Sequence, residues 1–79
     1  MKTTLTAAQK NAQKLNDHHM KTCAGFYLSN GHRCFGARVT DGKLEVMYWL
    51  VGTGEEHWML LDLETTKVRD HNGREIFLA

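Results

Sequence analysis

Short runs of alternating apolar and polar residues fill residues 23–79, and turn residues part them at a near-constant interval: Asn30-Gly31, Asp41-Gly42, Gly52-Thr53-Gly54, Glu64-Thr65-Thr66-Lys67 and Asn72-Gly73. Alternation with a period of two marks a half-buried strand. Asn-Gly or Asp-Gly accepts the positive φ angles of a hairpin turn whose twist matches the flanking strands. The pattern predicts an antiparallel β-meander of about five to six strands over residues 23–79. Before it, residues 6–21 carry no glycine or proline, and Thr6-Ala7-Ala8-Gln9 has the form of a capping box. A helix over about 6–21 follows, with Ala8, Ala12, Leu15 and His19 on one stripe and Leu5 and Met20 beside it. Only Leu15 is large on that stripe, so the helix can approach a sheet closely but buries little area. The predicted fold class is α+β: an N-terminal helix followed by an antiparallel meander, in a single domain spanning 1–79.

The turns also set a register. A two-residue loop at Asn30-Gly31 pairs Ser29 with His32, Tyr27 with Cys34, Phe26 with Phe35 and Ala24 with Ala37. A two-residue loop at Asp41-Gly42 pairs Val39 with Leu44, Ala37 with Val46, Phe35 with Tyr48 and Arg38 with Glu45. Two separate turns thereby place Phe26, Phe35, Ala37, Val46 and Leu44 on one face, the agreement expected of a correct register. A four-residue loop from Gly52 to Glu55 adds Met59, Leu61 and Leu63 to that face, matches Leu63 to Leu44 and sets Trp49 opposite Trp58. The next turn then pairs Glu64 with Lys67, Leu63 with Val68 and Asp62 with Arg69.

On the opposite face this register gathers Tyr27, Cys34, Met47, Trp49, Trp58 and Leu60, so the central strands are apolar on both sides. One thin helix covers one side only. Either the sheet curls and buries the second face in a folded-over core, or that face is an aromatic and methionine patch left for a partner or a second copy. Tryptophan, tyrosine and methionine are enriched at interface cores.

Composition narrows the picture. A 79-residue chain buries only roughly 60–65% of its unfolded surface and is stable by about 4–12 kcal/mol, so one core contact counts. The formal charge of +1 gives no general pull toward nucleic acid. It is unevenly spread: Lys2, Lys10, Lys14 and Lys21 stand near the start, whereas residues 55–79 hold six acids against three bases. No apolar run of the length a signal peptide or membrane span needs occurs, so a cytoplasmic protein is expected. The register sets Cys23 and Cys34 about 13 Å apart along the ladder, too far for a disulfide.

Candidate chemistry is sparse. His19, Cys23, His32 and Cys34 are metal-ligand types, but the spacings H-x3-C and H-x-C match no zinc module, and no metal or cofactor is expected. His18, His57 and His71 read as surface residues. Ser29, Cys23 and Cys34 lie in no nucleophile elbow, Glu55-Glu56 sits in a loop, and Gly52-Thr53-Gly54 lacks the lysine and helix of a phosphate loop. An enzyme is not expected. Aromatic side chains on an open sheet with Arg33, Arg38 and Lys43 nearby make a single-stranded nucleic-acid-binding sheet the alternative, and a small metal-stabilised domain the second alternative.

In size and architecture, a proline-free chain with one small helix and a meander, the protein resembles the small inhibitor proteins of phages and mobile elements, anti-CRISPR proteins among them. The resemblance carries no motif and transfers no residue. It implies a stoichiometric binder that blocks a host protein or nucleoprotein complex. The function expected is therefore a non-catalytic protein-binding module, with a second copy as a further candidate partner. It would act through an apolar and aromatic sheet face or a strand edge, and Tyr27, Met47, Trp49, Trp58, Leu60, Arg33 and Arg38 are the binding residues.

Overall fold

In a computed structural model of the chain, which describes residues 6–50 and 52–78, helix α1 runs from Ala7 to Thr22. Thr6 caps it in both directions: its Oγ1 accepts from the Gln9 N–H at 3.2 Å, and its own N–H donates to Gln9 Oε1 at 2.9 Å. The helix ends where Cys23 turns into the left-handed region at φ 56° and donates its N–H to the His19 carbonyl. Ala12 and Leu15 are buried and Ala8 packs beside them, as the stripe predicts. Met20 is instead 77% exposed, and Leu5 lies outside the described residues.

Six strands follow among the described residues: β1 Phe26–Leu28, β2 Arg33–Cys34, β3 Gly36–Thr40, β4 Lys43–Trp49, β5 Glu56–Leu60 and β6 Val68–Arg69. The protein is α+β with antiparallel strands, and these strands divide into two three-stranded sheets, ordered β2-β1-β6 and β3-β4-β5. The β3–β4 hairpin has the predicted register, with Val39 opposite Leu44, Ala37 opposite Val46 and Arg38 opposite Glu45. Asp41 and Gly42 both take positive φ, at 52° and 76°, as a primed two-residue turn requires.

The first turn is one residue longer than its Asn-Gly suggests. Leu28 donates its N–H to the His32 carbonyl, and Ser29, Asn30 and Gly31 form the loop, with Asn30 Oδ1 accepting from the His32 N–H. Only Gly31 takes a positive φ there, at 96°, the geometry of a three-residue loop. A slip of one residue exchanges faces. Cys34 therefore pairs with Phe26 inside the core, and Tyr27 pairs with Arg33. Phe35 and Gly36 then both stand against Met47, Gly36 as its register partner and Phe35 through an N–H donated to the Met47 carbonyl at 2.9 Å. Two residues opposing one is a bulge, which re-aims a side chain. It takes Phe35 off the core face predicted for it.

The third turn closes one residue earlier, at Leu50 and Glu55, which shifts the pairing by two and preserves faces. Leu50 donates its N–H to the Glu55 carbonyl, so Met47 meets Trp58 and Trp49 meets Glu56; Trp49 does not oppose Trp58. Leu61, not Leu63, bonds beside Leu44 and is buried. After it the chain leaves the sheet. The Asp62 carbonyl accepts from the Thr65 and Thr66 N–H groups, and β6 crosses to β1, pairing Leu28 with Val68 and Tyr27 with Arg69. The hairpin predicted between Asp62-Leu63 and Val68-Arg69 does not form, because Val68 finds a deeper place beside β1, where it is almost fully buried. The last residues turn back at Asp70 and run beside β6: Arg69 bridges to Glu75, and Ile76 donates its N–H to the Val68 carbonyl. Lys14 Nζ ties this end to the helix by donating to the Phe77 carbonyl.

One core results. Leu15 from the helix, Phe26, Leu28, Cys34 and Val68 from the first sheet, and Ala37, Leu44 and Val46 from the second bury one another, with Leu61 closing the side. The helix also seals an edge. Asn16 Nδ2 donates to the Ala37 carbonyl at 2.9 Å and Asn16 Oδ1 accepts from the Ala37 N–H at 2.8 Å, so one side chain satisfies both outward backbone groups of that β3 residue. Among the described residues no helix is long and apolar enough to cross a membrane.

Candidate functional site: an aromatic and arginine face

Helix and first sheet cover the same side of β3-β4-β5, so the other side faces outward. Alternation along β4 points Leu44 and Val46 inward and turns Glu45, Met47 and Trp49 out. Two stacks of side chains form there.

In the first, Phe35 lies against Trp49 with ring centroids 4.3 Å apart and planes inclined by 27°. The Arg33 guanidinium sits 5.0 Å from the Phe35 ring centre and 5.4 Å from that of Tyr27, and His19 meets Phe35 edge-on at 5.8 Å. Arg33 is held in place because its Nε and Nη2 both donate to the Ala24 carbonyl, at 3.2 and 2.9 Å. Gly25 makes room for this column. At φ +71° a side chain there would collide with the Cys34 carbonyl oxygen and press within 3.2 Å of Phe35 Cδ1. Trp49 ends the column and remains 47% exposed.

In the second stack, the Arg38 guanidinium lies 4.0 Å from the centre of the Trp58 ring. Its Nε donates to Glu45 Oε1 at 2.9 Å, and this bond, followed by one from Thr40, holds the Glu45 carboxyl below its ordinary range. Trp58 reaches across Met47 toward Gly36, where an added Cβ would be in ordinary contact with Met47 Cβ and Trp58 Cη2. Leu60 stands at the end of β5 with 58% of its surface exposed.

The seven predicted binding residues thus fall into two groups: Tyr27, Arg33 and Trp49 in one column, and Arg38, Met47 and Trp58 in the other with Leu60 beyond it. Met47 and Trp49 join them as neighbours on β4. Phe35 belongs at the centre of the first column although the alternation placed it in the core, and no local signal announces the bulge that moves it. Glu56, the cross-strand partner of Trp49, brings a carboxylate to the same face.

The four metal-ligand types do not converge, and no group of three or more His, Cys, Asp or Glu able to hold an ion occurs among the described residues. Cys34 lies in the core, where burial pushes its thiol from 9.0 up to about 12 and keeps it protonated. Cys23 is exposed at the helix end, and both thiols are free. His32 lies against Tyr48 at 4.9 Å with the ring planes tilted by 46°, and His57, half-buried, stacks on the same ring at 5.7 Å. Comparison with protein families, curated proteins and solved structures finds no match to this chain.

Proposed function

We propose that this protein is a non-catalytic protein-binding module whose outward sheet face is its contact surface. Its role would be that of a small stoichiometric binder occluding a host protein or nucleoprotein complex. The observation that carries the reading is the pre-stacked column ending in a half-exposed Trp49. Its members are already held by stacking and by the Arg33–Ala24 bonds, so little side-chain entropy remains to be lost on binding. Tryptophan, tyrosine and arginine are the side chains that dominate binding energy at protein interfaces.

Charge separates this reading from nucleic-acid binding. Arg38 is already paired with Glu45, Arg33 is bonded to Ala24, and Glu56 stands beside Trp49. A polyanion laid on this face would meet carboxylates as well as guanidinium groups, whereas a mixed-charge protein surface suits both. The test is capture from a lysate of the native host with wild-type protein and Trp49→Ala, both checked for folding. The expected result is a discrete protein partner that survives nuclease treatment and is lost or weakened at least tenfold with the variant. A partner retained at full affinity by the variant, or capture of nucleic acid with no discrete protein, overturns the proposal.

A further inference from the structure

The two edges of the β3-β4-β5 sheet are treated differently. At β3 the Asn16 amide occupies both outward groups of Ala37. At β5 the inward partners are fixed by the ladder ends: Leu50 donates to the Glu55 carbonyl and Leu61 to the Leu44 carbonyl. Odd-numbered residues of β5 therefore bond to β4, and the N–H and C=O groups of Glu56, Trp58 and Leu60 point outward. Among the described residues no other strand or helix lies along this edge. Its protections are slight, the Glu56 charge and its shortness: the sequence Glu56-His57-Trp58-Met59-Leu60 contains no lysine or proline, and the bulge at Phe35-Gly36 lies on the opposite edge.

We infer that the β5 edge pairs with the β5 edge of a second copy, antiparallel about a twofold axis at Trp58, joining two sheets into one of six strands. Self-pairing suits the charge pattern of this strand. About that axis Trp58 pairs with the partner's Trp58, exchanging two bonds, and Glu56 lies opposite the partner's Leu60. The two Glu56 carboxylates are then four residues apart along the ladder, about 13 Å. An in-register parallel pairing, or a slip of the axis toward Glu56, would bring them together. The exposed Leu60 gains cover, and the outward aromatic faces of both copies lie side by side. A five-residue edge is small beside a standard interface, so the dimer dissociates in the micromolar to millimolar range. The inference does not depend on what binds the aromatic face.

Sedimentation equilibrium of the purified protein from about 10 µM to about 1 mM tests it, with each variant's folding checked by circular dichroism. Wild type shifts from monomer to dimer mass over that range. Leu60→Glu opposes the partner's Glu56 and weakens dimerisation at least tenfold. Leu60→Lys pairs with it at both symmetric positions and tightens the dimer by about 2- to 30-fold. Combining Leu60→Glu with Glu56→Lys restores wild-type dimerisation. A monomer at every concentration overturns the inference, as does equal weakening by Leu60→Lys and Leu60→Glu, since lysine on an edge is otherwise a general deterrent to pairing. A readout without variants is amide exchange: protection at Glu56, Trp58 and Leu60 rises with concentration if the edge pairs, and unchanged protection rejects it.

Discussion

Cys23 and Cys34 show how position decides the behaviour of one residue type. Cys23 ends the helix at φ 56°, a conformation that costs a side-chain-bearing residue roughly 1 kcal/mol and glycine almost nothing. Cys23→Gly is accordingly expected to stabilise the fold by about 1 kcal/mol in urea unfolding, and no change or a loss would show that the cysteine side chain contributes where it sits. Cys34 is buried opposite Phe26, and burial raises its thiol from 9.0 to about 12. The folded state therefore favours the protonated thiol. Its contribution is complete below pH 9.0 and drains away as pH rises toward about 12. Urea midpoints measured from about pH 8 to about pH 10.5 should fall more steeply for wild type than for Cys34→Ala; parallel profiles would show that the thiol does not titrate differently on unfolding. Thiol reagents should modify Cys23 promptly and Cys34 only on opening. At the last turn the Asp70 carboxylate accepts N–H bonds from Arg74 and Asn72, which hold its pKa below the ordinary value, so this support is lost as the carboxylate protonates in acid.

Among the elements, the helix has two tasks, and the second is not visible in its apolar stripe. Ala12 and Leu15 supply a narrow buried face, while Asn16 acts as a substitute strand for the β3 edge. Asn16→Ala leaves a part-buried N–H and C=O of Ala37 without partners and is expected to cost roughly 1–3 kcal/mol, more than a half-buried helix position otherwise does. For a chain of this length that lowers the melting temperature by about 4–8 °C per kcal/mol. Loss of protection at the Ala37 amide in hydrogen exchange, ahead of its β4 neighbours, would locate the effect. Unaltered exchange there would mean that water replaces the side chain without cost. The sheets follow parity: one extra residue in the first loop exchanged Cys34 for Phe35 at the core, whereas a two-residue shift of register after the third turn moved partners but no faces.

For the molecule as a whole, the two tryptophans carry different duties. Trp58 lies on Met47 and beneath Arg38, so Trp58→Ala should cost about 2 kcal/mol of stability, while Trp49, stacked on Phe35 by one face and open on the other, should cost under about 1 kcal/mol. Thermal melts of the two single variants check this. Equal losses would mean that the exposed end of the column is structural and not a contact surface. The face they share remains outward because helix and first sheet compete for the same side, where Phe26, Leu28, Cys34 and Val68 add enough apolar area to complete a core that the helix alone could not.

Local chemistry was legible wherever a residue acts on its near neighbours. The Thr6–Gln9 capping box, the positive φ angles at Asp41-Gly42, the β3–β4 register and its Arg38–Glu45 pair, and the outward placement of Met47, Trp49 and Trp58 all follow from spacing along the chain. Their interactions span only a few residues, and period-two geometry transmits them faithfully. Tertiary structure decided what depends on competition between distant partners. The register of the first loop places Leu28 beside β6, and Val68 is buried there while Leu63 stays exposed. Phe35 left the core because a bulge opposite Met47 turned it, and Asn16 found the Ala37 edge only when helix and sheet had packed. Alternation along a strand states which residues share a face but not what covers it. That is settled by how much apolar area each arrangement removes from water, a property of the whole fold.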